Sequence, residues 1–303
     1  MKPLNFKIEV SDEVKKEREE LIQKLQQDPH VKKFLAETDC PQRFLSLYPY
    51  KFKRWIDGLK GCQTCSSLHG CCQENQGQYY QLNYENYLDF SLENCRFAKE
   101  KEIKYAHLKY IIINNMPTSL QSLDLSDLEI TASNQKVIMA IAQWLEVPKD
   151  VGFYLQGKVG VGKSTLAACA VNHFARQGIR TAYVHVPNWV AQMKGYFNDP
   201  DEYTKVIGIL SRVDFVVFDD IGAESVTPWV RDELIFPVLN QRMEEKKKTW
   251  FTSNEDFISL HDHYRFSAKL GEEEMKAVRI MERIQNLAQM LELKGENRRK
   301  HTK

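Results

Sequence analysis

The sequence predicts an α/β protein: a mostly parallel sheet flanked by helices in its C-terminal half, preceded by a small, cysteine-bearing helical domain. Three observations predict it. A short apolar run, Phe153-Tyr-Leu155, passes through a glycine-rich loop into a segment with helical apolar spacing, Leu166 to Phe174. From there to Leu293, strand-length apolar runs alternate with amphipathic stretches, the pattern of a parallel sheet covered on both faces. Five of the seven cysteines fall between Cys62 and Cys95, ahead of that half.

A length of 303 residues suggests about two domains. With 43% hydrophobic and 27% charged residues the class is globular with a sizeable core. A net charge of +1 rules out a global basic field, so any nucleic-acid contact has to come from a local patch. No apolar run reaches the roughly 18–20 residues of a membrane span, and Met1-Lys2-Pro3-Leu4 does not begin a signal peptide. The expected location is cytoplasmic, with no membrane partner.

Ser11 is suited to cap a first helix, with Asp12 and Glu13 in its opening turn and Val14, Leu21, Ile22 and Leu25 on one face. Asp28 and Pro29 restart the chain as N-cap and first helical residue of a short helix over His30–Ala36. Arg43 to Leu59 is rich in aromatics, including Phe44, Tyr48, Phe52 and Trp55. These apolar stripes need a partner, either the cysteine region or another protein.

Cys62-Gln-Thr-Cys65 lets two thiolates reach one tetrahedral ion from a single turn, and a second pair further on closes such a site. Cys62, Cys65 and Cys95 are the expected zinc ligands. Cys71 is favoured as the fourth, with Cys72 and His69 as alternatives. Four thiolates with no place for water describe a structural Zn²⁺. A redox pair would sit on a thioredoxin-like βαβ pattern, which is absent. Tyr79–Tyr84 and Tyr87–Phe90 read as a hairpin. Cys169, on the helix after the glycine loop, reads as a small core residue.

The charged run Lys99–Glu102 begins the passage out of this region, and Asn114-Asn-Met-Pro117 is a turn signal. The assigned boundaries are an N-terminal domain over 1–105, a linker over 106–130 and a nucleotide-binding domain over 131–303. Gln135–Glu146 is an amphipathic helix stopped by Pro148.

Gly157-Lys-Val-Gly-Val-Gly-Lys-Ser164 fits G-x-x-x-x-G-K-[ST], in the strand–loop–helix context that motif requires. Its glycines allow the backbone to approach an anion, and loop N–H groups with the helix N-terminus face the phosphates. Gly157, Val159, Gly160, Val161, Gly162, Lys163, Ser164 and Thr165 form this cradle. Lys163 is expected to reach the β- and γ-phosphates and Ser164 to hold Mg²⁺.

Thr181–Val186 reads as a strand, and Asn188–Phe197 and Tyr203–Leu210 as helices. Phe215–Phe218 is a buried strand ending in Asp219-Asp220. Trp229–Met243 is a helix, Thr249–Thr252 a strand ending at Ser253-Asn254, Glu273–Ala288 a helix and Met290–Leu293 a short strand. Ligands bind beyond the carboxyl ends of such strands. Asp219 there suits Mg²⁺, Asp220 a general base for the attacking water, and Asn254 a hydrogen bond to the γ-phosphate or that water.

Together these residues resemble the AAA+ ATPases of the helicase-loader type, the DnaC/DnaI family. Gly157–Thr165 is similar to their Walker A, Asp219-Asp-Ile-Gly-Ala-Glu224 to their Walker B and Phe251-Thr-Ser-Asn254 to their sensor 1. Arg279-Ile-Met-Glu-Arg283 is similar to the segment carrying the arginine finger, assigned to Arg283, and Arg298 falls where a sensor 2 arginine is expected. The cysteine cluster resembles the helicase-binding domain of the DnaI branch, although Gln78-Tyr-Tyr-Gln81 holds no histidine where some loaders complete their zinc site. Asp220 stands where many AAA+ enzymes place Glu, which implies slow turnover.

The resemblance implies a sheet of five parallel strands, ATP with Mg²⁺ and Zn²⁺ as cofactors, and loading of the replicative hexameric helicase onto single-stranded DNA. It implies contacts with the helicase through the N-terminal domain, with single-stranded DNA, with other primosomal proteins and with further copies on the helicase ring. The helices over 188–210 resemble an insertion that approaches DNA. A transposition-accessory AAA+ ATPase that remodels DNA is the alternative. The basic tail Arg298–Lys303 and Lys246-Lys-Lys248 are weak DNA signals, more in keeping with solvated surface.

Overall fold

A computed structural model describes residues 11–267 and 271–298. The chain divides into two compact units between Ile103 and Lys104.

In the first unit, helices α1 (Asp12–Gln27), α2 (Pro29–Glu37), α3 (Arg43–Leu47) and α4 (Pro49–Gln63) precede an antiparallel hairpin, β1 (Gln78–Tyr84) with β2 (Leu88–Asn94). The Asp28 carboxylate accepts from the His30 backbone N–H at 2.9 Å, so one residue ends α1 and starts α2. Pro49 divides the aromatic stretch, because the residue before a proline leaves the helical region. The apolar stripes find their partner inside the unit. Phe34 meets Phe52 edge-on and Trp55 at a tilt, at centroid distances of 5.8 and 5.3 Å, and Leu82 and Leu88 of the hairpin close this core. The run Lys99–Glu102 lies within α5 (Arg96–Tyr105).

The second unit is built on a parallel sheet of six strands, one more than expected. The strands are β3 (Ile111–Asn114), β4 (Gly152–Gln156), β5 (Thr181–His185), β6 (Phe215–Asp219), β7 (Lys248–Ser253) and β10 (Ala288–Glu292), in the order β10-β4-β7-β6-β5-β3. The extra strand comes from the segment expected as a linker: Ile111 to Asn114 pairs with β5 at the sheet edge. Four residues carry too little periodicity to announce a strand, and the tertiary contact with β5 makes it one.

Successive strand residues serve opposite faces. Phe153, Leu155, Phe215, Val217 and Trp250 pack under α6 (Gln135–Glu146) and α7 (Lys163–Arg176). Tyr154, Val216, Phe218 and Phe251 pack under α8 (Val186–Gly195), α9 (Pro200–Arg212), α10 (Phe236–Glu244), α11 (Phe257–Arg265) and α12 (Glu274–Leu287). Helix α10 is preceded by a π-helical turn over Trp229–Ile235, and α11, absent from the sequence reading, is followed by a two-residue hairpin, β8 (Phe266–Ser267) with β9 (Gly271–Glu272).

Trp144 of α6 anchors the first face. Its ring meets Trp250 at 5.0 Å and Phe174 and Phe215 at 5.9 Å, while its indole N–H donates to Val151 O at 2.9 Å. Trp144→Ala is expected to lower the unfolding free energy of the second unit by about 3–5 kcal/mol, measured by denaturant titration.

Candidate nucleotide-binding site

The site sits where β4, β6 and β7 end. Because β7 lies between β4 and β6, their carboxyl-terminal residues emerge side by side. Strand β4 runs into the loop 157–162, and α7 begins at Lys163. Gly162, the N-cap of α7, has φ +107°, and Gly160 has φ +82°, backbone conformations closed to most residues with a Cβ. At Gly160 the Asn297 side chain fills the space a Cβ would take, and Arg298 N donates to Gly160 O at 3.0 Å.

Lys163 is 6% exposed. Its ammonium donates to Gly157 O at 2.7 Å, Lys158 O at 2.9 Å and Asn254 Oδ1 at 2.8 Å. A buried cation demands such partners. Asn254 in turn donates through Nδ2 to Asp220 Oδ1 at 3.3 Å. Thr252 of β7 joins the two acids: its hydroxyl donates to Asp219 Oδ1 at 2.7 Å and accepts from Asp220 N at 2.9 Å. Asp220 has φ +61°, which turns the chain sharply after β6 and presents its carboxylate to the same space as Lys163. His185 Nε2, from the end of β5, stands 4.0 Å from Asp220 Oδ2. The Tyr183 hydroxyl donates to Ser164 O at 3.5 Å, and burial together with the adjacent Asp219 pushes its ionisation far above the usual range.

Lys163, Ser164, Asp219, Asp220, Asn254 and Arg298 line one cavity of about 800 Å³. The sequence had singled out all six. It missed Thr252, Tyr183, His185 and Asn297. Thr252 carried a signal, as a polar residue inside an apolar strand; the others owe their roles to strand order and to the return of the chain over the loop.

Arg283 is outside the cavity. It lies on α12, donates to Asn240 Oδ1 at 3.2 Å, pairs with Glu282 and packs over the Phe236 ring at 5.2 Å. Arg279, one turn earlier, is exposed. Residues 299–303 of the basic tail lie outside the described residues.

Cys62, Cys65, Cys71 and Cys95 line a second cavity, of about 350 Å³, within the first unit. Among the described residues, however, no three His, Cys, Asp or Glu side chains stand in an arrangement that could hold a metal ion. The four thiols are free, and three of them are hydrogen-bonded locally. Cys62 Sγ accepts from Gln73 Nε2 at 3.2 Å, Cys65 Sγ donates to Ser67 O at 3.2 Å, and Cys71 Sγ accepts from Gly77 N at 3.3 Å. The backbone N–H groups of Gly77 and Gln73 hold the Cys71 thiol below its ordinary range, whereas burial pushes Cys62 up. Cys72 and His69 are both exposed.

Residues 69–303 match the model of the IstB-like ATP binding protein family. The chain belongs to this family. It is also 32% identical over 292 residues to the replicative helicase loader DnaI of Bacillus subtilis (strain 168), covering 94% of both chains. Two crystal structures are similar: one of DnaI, 32% identical with TM-score 0.54, covering 63% of this chain and 98% of that one, and one of a putative primosome component of Streptococcus pyogenes serotype M3, 30% identical with TM-score 0.52, covering 64% and 98%. Among the described residues no helix is long and apolar enough to cross a membrane.

Lys163→Ala removes the buried cation at the glycine loop. Nucleotide titration is expected to show ATP binding weakened at least about tenfold, ~1.4 kcal/mol.

Proposed function

We propose that the chain is an ATP-hydrolysing loader of the replicative hexameric DNA helicase, acting on single-stranded DNA in replication initiation or restart. The observation that carries this reading is the 32% identity to a replicative helicase loader across 94% of both chains, which reaches into the first unit as well as the ATP-binding one. That reach favours the loader over a transposition-accessory ATPase.

The donor set fits ATP with Mg²⁺. A hydroxyl and a carboxylate, Ser164 and Asp219, supply the hard oxygens that Mg²⁺ takes, beside a lysine and a glycine-rich cradle. Bound Mg²⁺ would draw charge from the phosphates. Lys163 would exchange Asn254 Oδ1 and the loop carbonyls for phosphate oxygens, since a full anion is the stronger partner for a buried ammonium. Asn254, so released, would orient the attacking water, and the Asp220 carboxylate would take its proton. Aspartate reaches one bond less far than glutamate, in keeping with slow turnover. Arg298 would act in cis as sensor 2. Arg283 would serve a neighbouring copy on the helicase ring, after leaving Glu282 and Asn240.

The first unit would hold the helicase, with Cys62, Cys65, Cys71 and Cys95 closing on Zn²⁺. Four sulfur donors around one cavity suit that ion chemically. Plasma emission analysis of the purified chain is expected to give about one zinc per chain, lost in Cys62→Ser/Cys65→Ser; metal-free wild-type protein overturns the zinc assignment.

Co-elution with the cognate helicase tests the function. A complex is expected with ATP, and it should be lost when residues 1–103 are removed. No complex with ATP, ADP or no nucleotide would overturn the loader reading in favour of DNA as primary partner.

A further inference from the structure

Glu224 is buried, 3% exposed, and takes no part in the chemistry above. It closes the turn that begins with the two acids. Its Oε2 accepts from the Gly222 backbone N–H at 2.8 Å, and its Oε1 accepts from the Tyr264 hydroxyl at 2.7 Å. His263 Nε2 stands 3.8 Å from Oε1, an ion-pair distance rather than a hydrogen bond. Burial works to raise the Glu224 carboxyl, but His263 and Tyr264 outweigh it and hold the group below its usual range, as a carboxylate.

Tyr264 and His263 belong to α11, which starts immediately after Asn254-Glu255 and is capped by Asp256. The other side of the turn is tied to the same segment. Ile221 N donates to Thr252 O at 3.0 Å, Ser253 Oγ donates to Ile221 O at 2.6 Å, and Glu255 N donates to Ser253 Oγ at 3.1 Å. Asp220 therefore sits in a turn clamped from both ends against the segment that carries Asn254. Its left-handed backbone is a conformation that persists only where the surroundings over-determine it.

We propose that Glu224 is a positioning residue for hydrolysis: by binding Gly222 N–H and Tyr264 O–H it locks the Asp220 turn to helix α11 and holds the Asp220 carboxylate at the nucleotide in register with Asn254. The inference rests on the ATPase reading. It separates two properties of the site. Nucleotide binding depends on the glycine loop and Lys163, which Glu224 does not touch. Hydrolysis depends on where Asp220 stands, which Glu224 sets.

The test is steady-state ATPase kinetics and nucleotide binding on the full-length protein, for wild type, Lys163→Ala, Glu224→Ala, Glu224→Gln, Tyr264→Phe and Val238→Ala. Val238 is fully buried in the same core, on α10, and gives a control for loss of packing alone. Glu224→Ala is expected to lower kcat by about tenfold or more with nucleotide affinity within about twofold of wild type. Glutamine keeps one acceptor for Gly222 N–H and one polar atom for the tyrosine hydroxyl, so Glu224→Gln is expected to restore kcat to within about threefold of wild type. An unchanged kcat in Glu224→Ala, or an equal fall in Val238→Ala, overturns the proposal while leaving the ATPase reading intact. Should Glu224→Ala not fold, Tyr264→Phe decides: a fall in kcat of about threefold at unchanged affinity supports the lock, and a wild-type kcat overturns it. Wild-type turnover no greater than that of Lys163→Ala would overturn the ATPase reading, and the lock with it.

Discussion

The buried ammonium of Lys163 is the constraint on which the second unit turns. A cation at 6% exposure stands only where oxygens surround it, and here they come from the loop after β4 and from Asn254 after β7. The two chain positions are far apart in sequence, so the contact exists only because β4 and β7 are neighbours in the sheet. The same adjacency brings β6 against β7 and lets Thr252 hold both Asp219 and Asp220. One strand thus supplies the partner of the lysine and the bridge between the acids. The groups that line this cavity are hydrogen-bonded to one another.

The sheet makes this arrangement firm because both its faces are covered. Alternate residues of β4, β6 and β7 enter two separate cores, one centred on Trp144 and one shared by α8 to α12. With strands anchored from both sides, their carboxyl ends are held at fixed spacing. Glu224 extends the same principle to the turn after β6. A buried carboxylate satisfied by a backbone N–H and a tyrosine hydroxyl fastens a sharp turn to the neighbouring helix.

The first unit works on a smaller scale. Its short helices cannot bury their aromatic stripes singly, and they converge with the hairpin on Phe34, Phe52, Trp55, Leu82 and Leu88. The stripes that the sequence offered as surfaces for another molecule are largely spent on this core. What remains outside includes Leu47, Tyr50 and Tyr87, all more than half exposed. The cysteines share a cavity at the far end of α4, held as separate hydrogen-bonded thiols.

By itself the sequence determined the α/β class, the cap at Asp28, the limits of α6 and the hairpin, and it singled out Lys163, Ser164, Asp219, Asp220 and Asn254 among the residues that line the cavity. Each rests on local chemistry: a cap, an amphipathic period, a glycine loop, acids or an amide at the end of an apolar run. Only the tertiary structure decided the rest. Ile111–Asn114 became a sixth strand because β5 offered an unpaired edge, not because four residues prefer to be extended. Thr252, Tyr183 and His185 joined the site because strand order put β5, β6 and β7 side by side. Arg283 does not line its own chain's cavity, and among the described residues no three of the thiols stand together as a metal site. Spacing along a chain fixes which groups are close in sequence; which distant groups meet is decided by burial of both faces of the sheet.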